Sequence, residues 1–136
     1  MKIKRVEHIA IAVHDMAESM RMLEHTLGLK LDYEEVIGET KLAMYPVGET
    51  SLELLQAKGA ASPVADWVAE HGQSLFHLCF EVEDIDAALD ELRAKGVKLL
   101  DETPKGGHGG SRIAFLDPAS TGDILIELAE LPAGHG

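Results

Sequence analysis

The chain reads as an α+β protein built from two tandem βαβββ modules, and three features of its 136 residues lead there. The stretch His8-Ile-Ala-Ile-Ala-Val-His-Asp15 returns in pattern as His77-Leu-Cys-Phe-Glu-Val-Glu-Asp84, each an alternating run opened by histidine and closed by Val, one residue and Asp. Each run is followed by a segment with helical spacing that stops at a glycine. Later segments echo as well: Leu27-Gly-Leu-Lys-Leu31 matches Lys95-Gly-Val-Lys-Leu99, and Ser51-Leu-Glu53-Leu-Leu matches Leu125-Ile-Glu127-Leu-Ala.

Residues 3–13 form the first predicted strand. Period-two geometry puts His8, Ala10 and Ala12 on one face and Ile9, Ile11 and Val13 on the other. Asp15-Met-Ala-Glu18 is a capping-box-like helix start, with Asp in place of Ser or Thr, and Met16, Met20, Leu23 and Leu27 point inward until Gly28 caps the end. Strands follow at 29–36, 41–47 and 51–56, separated by turns at Gly38 and Gly48. Residues 57–73 read as a linker: Ser62-Pro63 opens a short helix through Trp67 that ends at Gly72, with Trp67 as its hydrophobic clamp. The second module repeats the plan. Strand 76–82 separates His77, Cys79 and Glu81 from Leu78, Phe80 and Val82. A helix from Asp84 or Ile85 to Lys95 buries Ile85, Ala88, Leu89 and Leu92 and stops at Gly96. Strands 97–100, 111–116 and 123–129 complete it, around the glycine-rich turn 104–110. The organisation is thus one domain over 3–131, with modules 3–56 and 74–131, the linker 57–73 and a tail 132–136.

Composition narrows the function. The 46% hydrophobic and 26% charged content is that of an ordinary globular protein, and no apolar run approaches a membrane span. With no signal-peptide pattern after Met1, the expected address is cytoplasmic. A net charge of −12 argues against nucleic acid and acidic membranes as partners. An anionic substrate would need locally gathered positive charge, from a metal or from Lys105, His108 and Arg112. Cys79, the single cysteine, reads as a small buried side chain.

A carboxylate between large apolar residues, as in Leu52-Glu53-Leu54 and Ile126-Glu127-Leu128, needs a partner if it faces inward. Each residue alone reads as a surface carboxylate or a satisfied core histidine. Two His and two Glu at matched positions of a duplicated unit read differently: pseudo-twofold symmetry would bring His8, Glu53, His77 and Glu127 to one axis, a donor set suited to a divalent cation.

With His, Glu, His and Glu on strands one, four, five and eight, the duplication resembles the vicinal oxygen chelate superfamily, the glyoxalase/bleomycin resistance/dioxygenase group. The resemblance covers the chain from about Ile3 to Leu131. Ser62-Pro-Val-Ala-Asp-Trp, Phe80-Glu-Val, Gly96-Val-Lys-Leu-Leu-Asp-Glu-Thr-Pro, Gly109-Gly-Ser-Arg-Ile-Ala-Phe-Leu and Ser120-Thr-Gly-Asp-Ile-Leu-Ile-Glu-Leu look most like the methylmalonyl-CoA epimerases. The resemblance implies a curved, mixed eight-stranded sheet around a divalent metal (Co, Ni, Mn or Zn) held by His8, Glu53, His77 and Glu127. It also implies an acyl-CoA substrate, proton transfer at C2 through a metal-stabilised enolate, and a homodimer. Glu127 carries over as metal ligand and acid/base. The second acid/base, a strand-three carboxylate in some members, falls on Lys41 or Leu42 here, with Glu39 the nearest carboxylate. Lys105 and Arg112 are the candidate substrate-binding cations. Phe76 stands where a second His is frequent, and Asp117 where a His commonly precedes Pro118. Lactoylglutathione lyase shares the fold and ligand types and is the alternative activity. A non-enzymatic small-molecule binder and an iron oxygenase using His, His and Glu are the other readings.

Overall fold

A computed structural model describes residues 1–133. Its strands are β1 (Ile3–Ala12), β2 (Tyr33–Ile37), β3 (Thr40–Val47), β4 (Thr50–Ala57), β5 (Ser74–Val82), β6 (Lys105–Gly106), β7 (Arg112–Phe115) and β8 (Ile126–Glu130). The helices are α1 (Met16–Arg21), α2 (Pro63–His71) and α3 (Ile85–Ala94), with a π-helical turn over Met22–Thr26. The strands make one mixed sheet in the order β2-β3-β4-β1-β5-β8-β7-β6. This is the α+β class and the duplicated βαβββ plan expected from the sequence. Two compact units divide the chain, residues 1–7 with 77 onward and residues 8–76, so β1 and β5 each contribute to both. No helix of the described residues is long and apolar enough to cross a membrane.

In the unit 8–76, β1 runs parallel to β4 (Ala10 beside Glu53), and β3 lies antiparallel to both β4 and β2. The sheet has two dissimilar faces. Ile11, Val13, Ala43, Tyr45, Leu52 and Leu54 pack under Met16, Met20 and Leu23 of the first helix. On the reverse, Ala10, Ala12, Leu42, Met44 and Leu55 pack with Val64, Trp67 and Val68 of α2. Local chemistry sets both helix starts: Asp15 accepts from the Glu18 amide, and Ser62 from the Val64 amide with Pro63 at the first helical position. Trp67 does clamp its segment, donating its indole N–H to Ser74 Oγ at 2.9 Å.

In the other unit, β8 pairs parallel with β5 and antiparallel with β7, and β6 adds to β7. Helix α3, capped by Asp84, buries Ile85, Ala88, Leu89 and Leu92 against Val82, Ala114, Leu116 and Leu128. The reverse face holds Cys79, Ile113, Phe115 and Ala129. Arg5 donates to the buried Glu81 at 2.7 Å, so the Glu81 charge is met within its own unit.

Four sequence expectations need correction. Leu27 is 61% exposed, because the π-helical turn is wider than an α turn and rotates it off the face shared by Met16, Met20 and Leu23. Residues 97–100 make no strand. Their backbone groups go to Ser120, Asp117 and Phe115, leaving one isolated bridge, Leu99 to Leu116, and the edge strand is Lys105–Gly106. Residues 29–32 precede β2 rather than belonging to it, although Leu29 and Leu31 still pack inward. Strand β8 starts at Ile126, because Asp123 turns the chain with φ of 65° and its amide bonds Pro118. The expected tail 132–136 lies in part outside the described residues.

Tyr45 is fully buried and donates its hydroxyl to Glu24 at 2.6 Å. Burial first, then that carboxylate, pushes the phenol well above its ordinary value of 10.0. Its neutral form is favoured in the fold, so this contribution is full below pH about 10 and is lost as the pH rises beyond it. Tyr45→Phe is expected to lower stability by about 1.5–3 kcal/mol at pH 7, read by urea denaturation, with a gap to the parent that narrows above pH about 10.

Candidate functional site

The sheet face away from α1 and the reverse face of the other unit share one property: their central positions are small. Ala10 and Ala12 provide this in one unit, Cys79 and Ala129 in the other. Into each of these faces the sequence sets a histidine on the unit's first strand and a glutamate on its last. Beside Ala10, Glu53 projects to the same side as His8, and its Oε1 lies 3.3 Å from His8 Nε2. In the other unit Glu127 is the register partner of Cys79, and its Oε1 lies 3.1 Å from His77 Nε2. His8 is 1% exposed, Glu53 4%, His77 6% and Glu127 4%.

Buried carboxylates are costly unless their charge is met. In each unit an imidazole stands against the carboxylate. Imidazole nitrogens and carboxylate oxygens are donors that divalent cations accept, and two carboxylates would balance the charge of one such ion, so the residue types fit the metal that the sequence suggests.

Around His77 the surroundings are specific. The Phe115 ring meets the imidazole edge-on with centroids 5.1 Å apart, and Lys105 Nζ sits 5.4 Å over the same ring. Lys105 also pairs with Asp101 at 3.1 Å. In the same unit, buried His108 Nε2 lies 2.7 Å from buried Glu7 Oε1, which anchors the glycine-rich turn to β1. Gly107 has no room for a side chain: a Cβ there would stand 2.6 Å from Ile113 Cγ2 and 2.7 Å from Ser111 Oγ.

Other residues singled out in the sequence are placed elsewhere. Lys41 is exposed and pairs in register with Gln56, whose side chain accepts from the Met16 amide of α1, so Lys41 lies on the opposite side of the sheet from Glu53. Glu39 is exposed in the turn between β2 and β3. Leu42, not Lys41, shares the Glu53 side, packed with Met44 and Leu55. Arg112 points to α3, holding Asp86 through two hydrogen bonds of 2.8 and 3.1 Å. That fork keeps the Asp86 carboxyl below its ordinary range and raises the Arg112 guanidinium. Phe76 packs on Trp67 with ring centroids 5.1 Å apart, and Asp117 caps the turn after β7 by accepting from the Ala119 amide.

Two features escaped the sequence reading. The Glu7–His108 pair joins residues about a hundred positions apart, and no local pattern announces it. Glu35 stands directly opposite Leu42 on β2, on the Glu53 side. The run Tyr33-Glu34-Glu35-Val36-Ile37 offers an acid and apolar residues at either parity, so only the register to β3 could choose Glu35 over Glu34.

Comparison with known proteins adds an independent line. The model of the Glyoxalase/Bleomycin resistance protein/Dioxygenase superfamily matches residues 7–115. The ethylmalonyl-CoA/methylmalonyl-CoA epimerase of Cereibacter sphaeroides is 32% identical over 133 residues, covering 95% of this chain and 99% of that protein. The mitochondrial methylmalonyl-CoA epimerase of Dictyostelium discoideum is 32% identical over 133 residues, covering 94% of this chain and 79% of that one. Among solved structures, Streptomyces coelicolor methylmalonyl-CoA epimerase in complex with 2-nitronate-propionyl-CoA has a TM-score of 0.93 at 32% identity over 97% of both chains.

The close packing at Gly107 gives a direct test of the turn. Gly107→Ala is expected to cost about 1–3 kcal/mol through overpacking against Ile113 and Ser111, seen as a lower urea midpoint with an unchanged slope.

Proposed function

Because the chain belongs to the glyoxalase/bleomycin resistance/dioxygenase superfamily, we propose that it is an epimerase interconverting the two C2 epimers of methylmalonyl-CoA. The observation that carries this reading is the pair of buried His–Glu sets on small-residue faces, in a chain similar to methylmalonyl-CoA epimerases along nearly all its length. In this reading His8, Glu53, His77 and Glu127 hold one divalent cation of the cobalt, nickel, manganese or zinc type. When bound, that cation supplies Lewis-acid polarisation of the thioester carbonyl and so acidifies the proton at C2. A homodimer belongs to the same reading and rests on the family resemblance.

The remaining work falls to the chain's own groups. Glu127 takes the C2 proton on one face of the substrate, and the electron pair of the C2–H bond moves into the thioester as an enolate. A second group returns a proton to C2 on the opposite face, and the roles exchange in the reverse direction. Phe115 holds the imidazole plane of His77, and burial of both His–Glu pairs excludes water from the charge that develops. Lys105, whose ammonium sits over the Phe115 ring beside His77, is the candidate partner for the substrate's free carboxylate, whereas Arg112 is committed to Asp86.

The test is exchange of the C2 proton of methylmalonyl-CoA in deuterated water, followed by NMR, with metal-stripped and cobalt-reconstituted protein. Metal-dependent exchange with epimer interconversion is expected, and Glu127→Gln should slow it by about a hundredfold or more. Exchange at the parental rate in Glu127→Gln would contradict the assignment. Absence of exchange in cobalt-loaded parent protein, with turnover of a glutathione hemithioacetal instead, would transfer the site to the lyase reaction.

A further inference from the structure

Residues 97–100 make no strand, yet the segment they begin is fixed to the edge of β7 at one point. The Leu100 and Asp101 amides donate to the Phe115 carbonyl at 2.9 and 3.3 Å, and Asp101 Oδ2 accepts from the Phe115 amide at 2.8 Å. The Leu116 amide donates to Ile126 of β8, so by the alternation of a strand the Phe115 backbone groups point to the other edge and need partners there. Asp101 supplies the acceptor with its side chain, where a further strand would use a carbonyl. Its other oxygen, Oδ1, lies 3.1 Å from Lys105 Nζ. One carboxylate therefore binds both the backbone of Phe115 and the ammonium that sits over the Phe115 ring. The lysine is also held through its own backbone. Lys105 pairs in register with Ile113, which packs on the same face as Phe115, Cys79 and Ala129, so its side chain starts one diagonal step from Phe115. Phe115 in turn is the register partner of Glu127 and meets His77 edge-on. All of these residues belong to the unit formed by 1–7 and 77 onward.

Resting on the epimerase reading above, we propose that Asp101 is a positioning residue: it fixes Lys105 over Phe115, ready to take the free carboxylate of the substrate beside the His77–Glu127 pair. A lysine ammonium ends a flexible four-carbon stem, and neither an exposed ion pair nor an exposed cation–π contact restrains it strongly alone. Here both act on one ammonium, and the acid of the ion pair is itself fixed by the Phe115 amide. The Asp101 side chain is 19% exposed and that of Lys105 54%, so the anchor is mostly enclosed while the charged head still reaches a ligand. An ammonium has three N–H donors, and the pairing with Asp101 leaves donors over for a carboxylate. Arg112 differs on this point, because both of its terminal nitrogens are engaged with Asp86. Fixing the ammonium before the substrate arrives removes an ordering cost from binding and leaves the proton transfer untouched. The role of Asp101 is therefore read in KM rather than in kcat.

The test measures epimer interconversion by cobalt-loaded protein against methylmalonyl-CoA concentration. Asp101→Asn keeps an oxygen for the Phe115 amide and removes the charge that holds Lys105, so it separates the two contacts. It should raise KM about three- to tenfold with kcat within about twofold of the parent, and unfold at the parental urea midpoint. Lys105→Met should raise KM by at least as much, and Asp101→Asn added to Lys105→Met should change nothing further, because the acid acts through that lysine. In proton NMR the Lys105 ε-methylene signal of the parent should lie upfield, shielded by the Phe115 ring, and return to the ordinary lysine position in Asp101→Asn. An unchanged or lower KM in Asp101→Asn, additive effects in the double variant, or an unmoved Lys105 signal overturns the assignment. A joint fall in kcat and in the urea midpoint marks a purely structural part and overturns it as well. An inactive cobalt-loaded parent overturns the epimerase reading itself, and the role of Asp101 with it.

Discussion

Everything in this protein is arranged around the burial of a histidine and a glutamate side by side on a sheet face, done twice. An ionised carboxylate removed from water costs several kcal/mol unless it is compensated, and an imidazole beside it compensates only in part. The chain meets that cost twice, with His8 beside Glu53 in one unit and His77 beside Glu127 in the other. The small residues next to each pair, Ala10 and Ala12 in one unit and Cys79 and Ala129 in the other, follow from the same requirement.

Hydrophobic burial fills the faces opposite the pairs and, in the unit 8–76, part of the pair's own face as well. Helix α3 covers its face with Ile85, Ala88, Leu89 and Leu92, and α1 with its π-helical turn covers the other with Met16, Met20 and Leu23. The second side of the unit 8–76 is not left bare. Helix α2 packs Val64, Trp67 and Val68 into the cluster that holds Leu42 and Leu55 on the side of the His8–Glu53 pair. Adjacent residues on a single strand thus serve opposite purposes. Ile9 and Ile11 alternate with His8, Ala10 and Ala12, and a shift of one residue in register would exchange the two roles.

Much of this was legible in the sequence, and the physical reasons are specific. Period two is a strong signal when one face is small or polar and the other branched, so the parity of His8, Glu53 and His77 could be read directly. The capping residues Asp15, Ser62 and Asp84 announced their helices because an unmet amide at a helix start has few other partners. What could not be read were features settled by distant partners. Leu27 turns outward because of a π-helical turn that no sequence period marks. The segment 97–100 has strand-like residues, but its amides are claimed by Ser120 and the turn after β7. Arg112 looked like a substrate cation until α3 was seen to place Asp86 against it. Glu35 was hidden for the converse reason: its side of β2 depends on pairing with β3, and neighbouring acids made both parities equally plausible.

The central claim is that the two His–Glu pairs act together on one divalent ion. It is tested most directly by titrating metal-free protein with cobalt(II), following the d–d absorption bands and the bound metal by elemental analysis. The account predicts one cobalt per chain, with that single site lost in both His8→Ala and His77→Ala while circular dichroism stays native. Two independent cobalt ions per chain, or a site that survives either substitution, would contradict it.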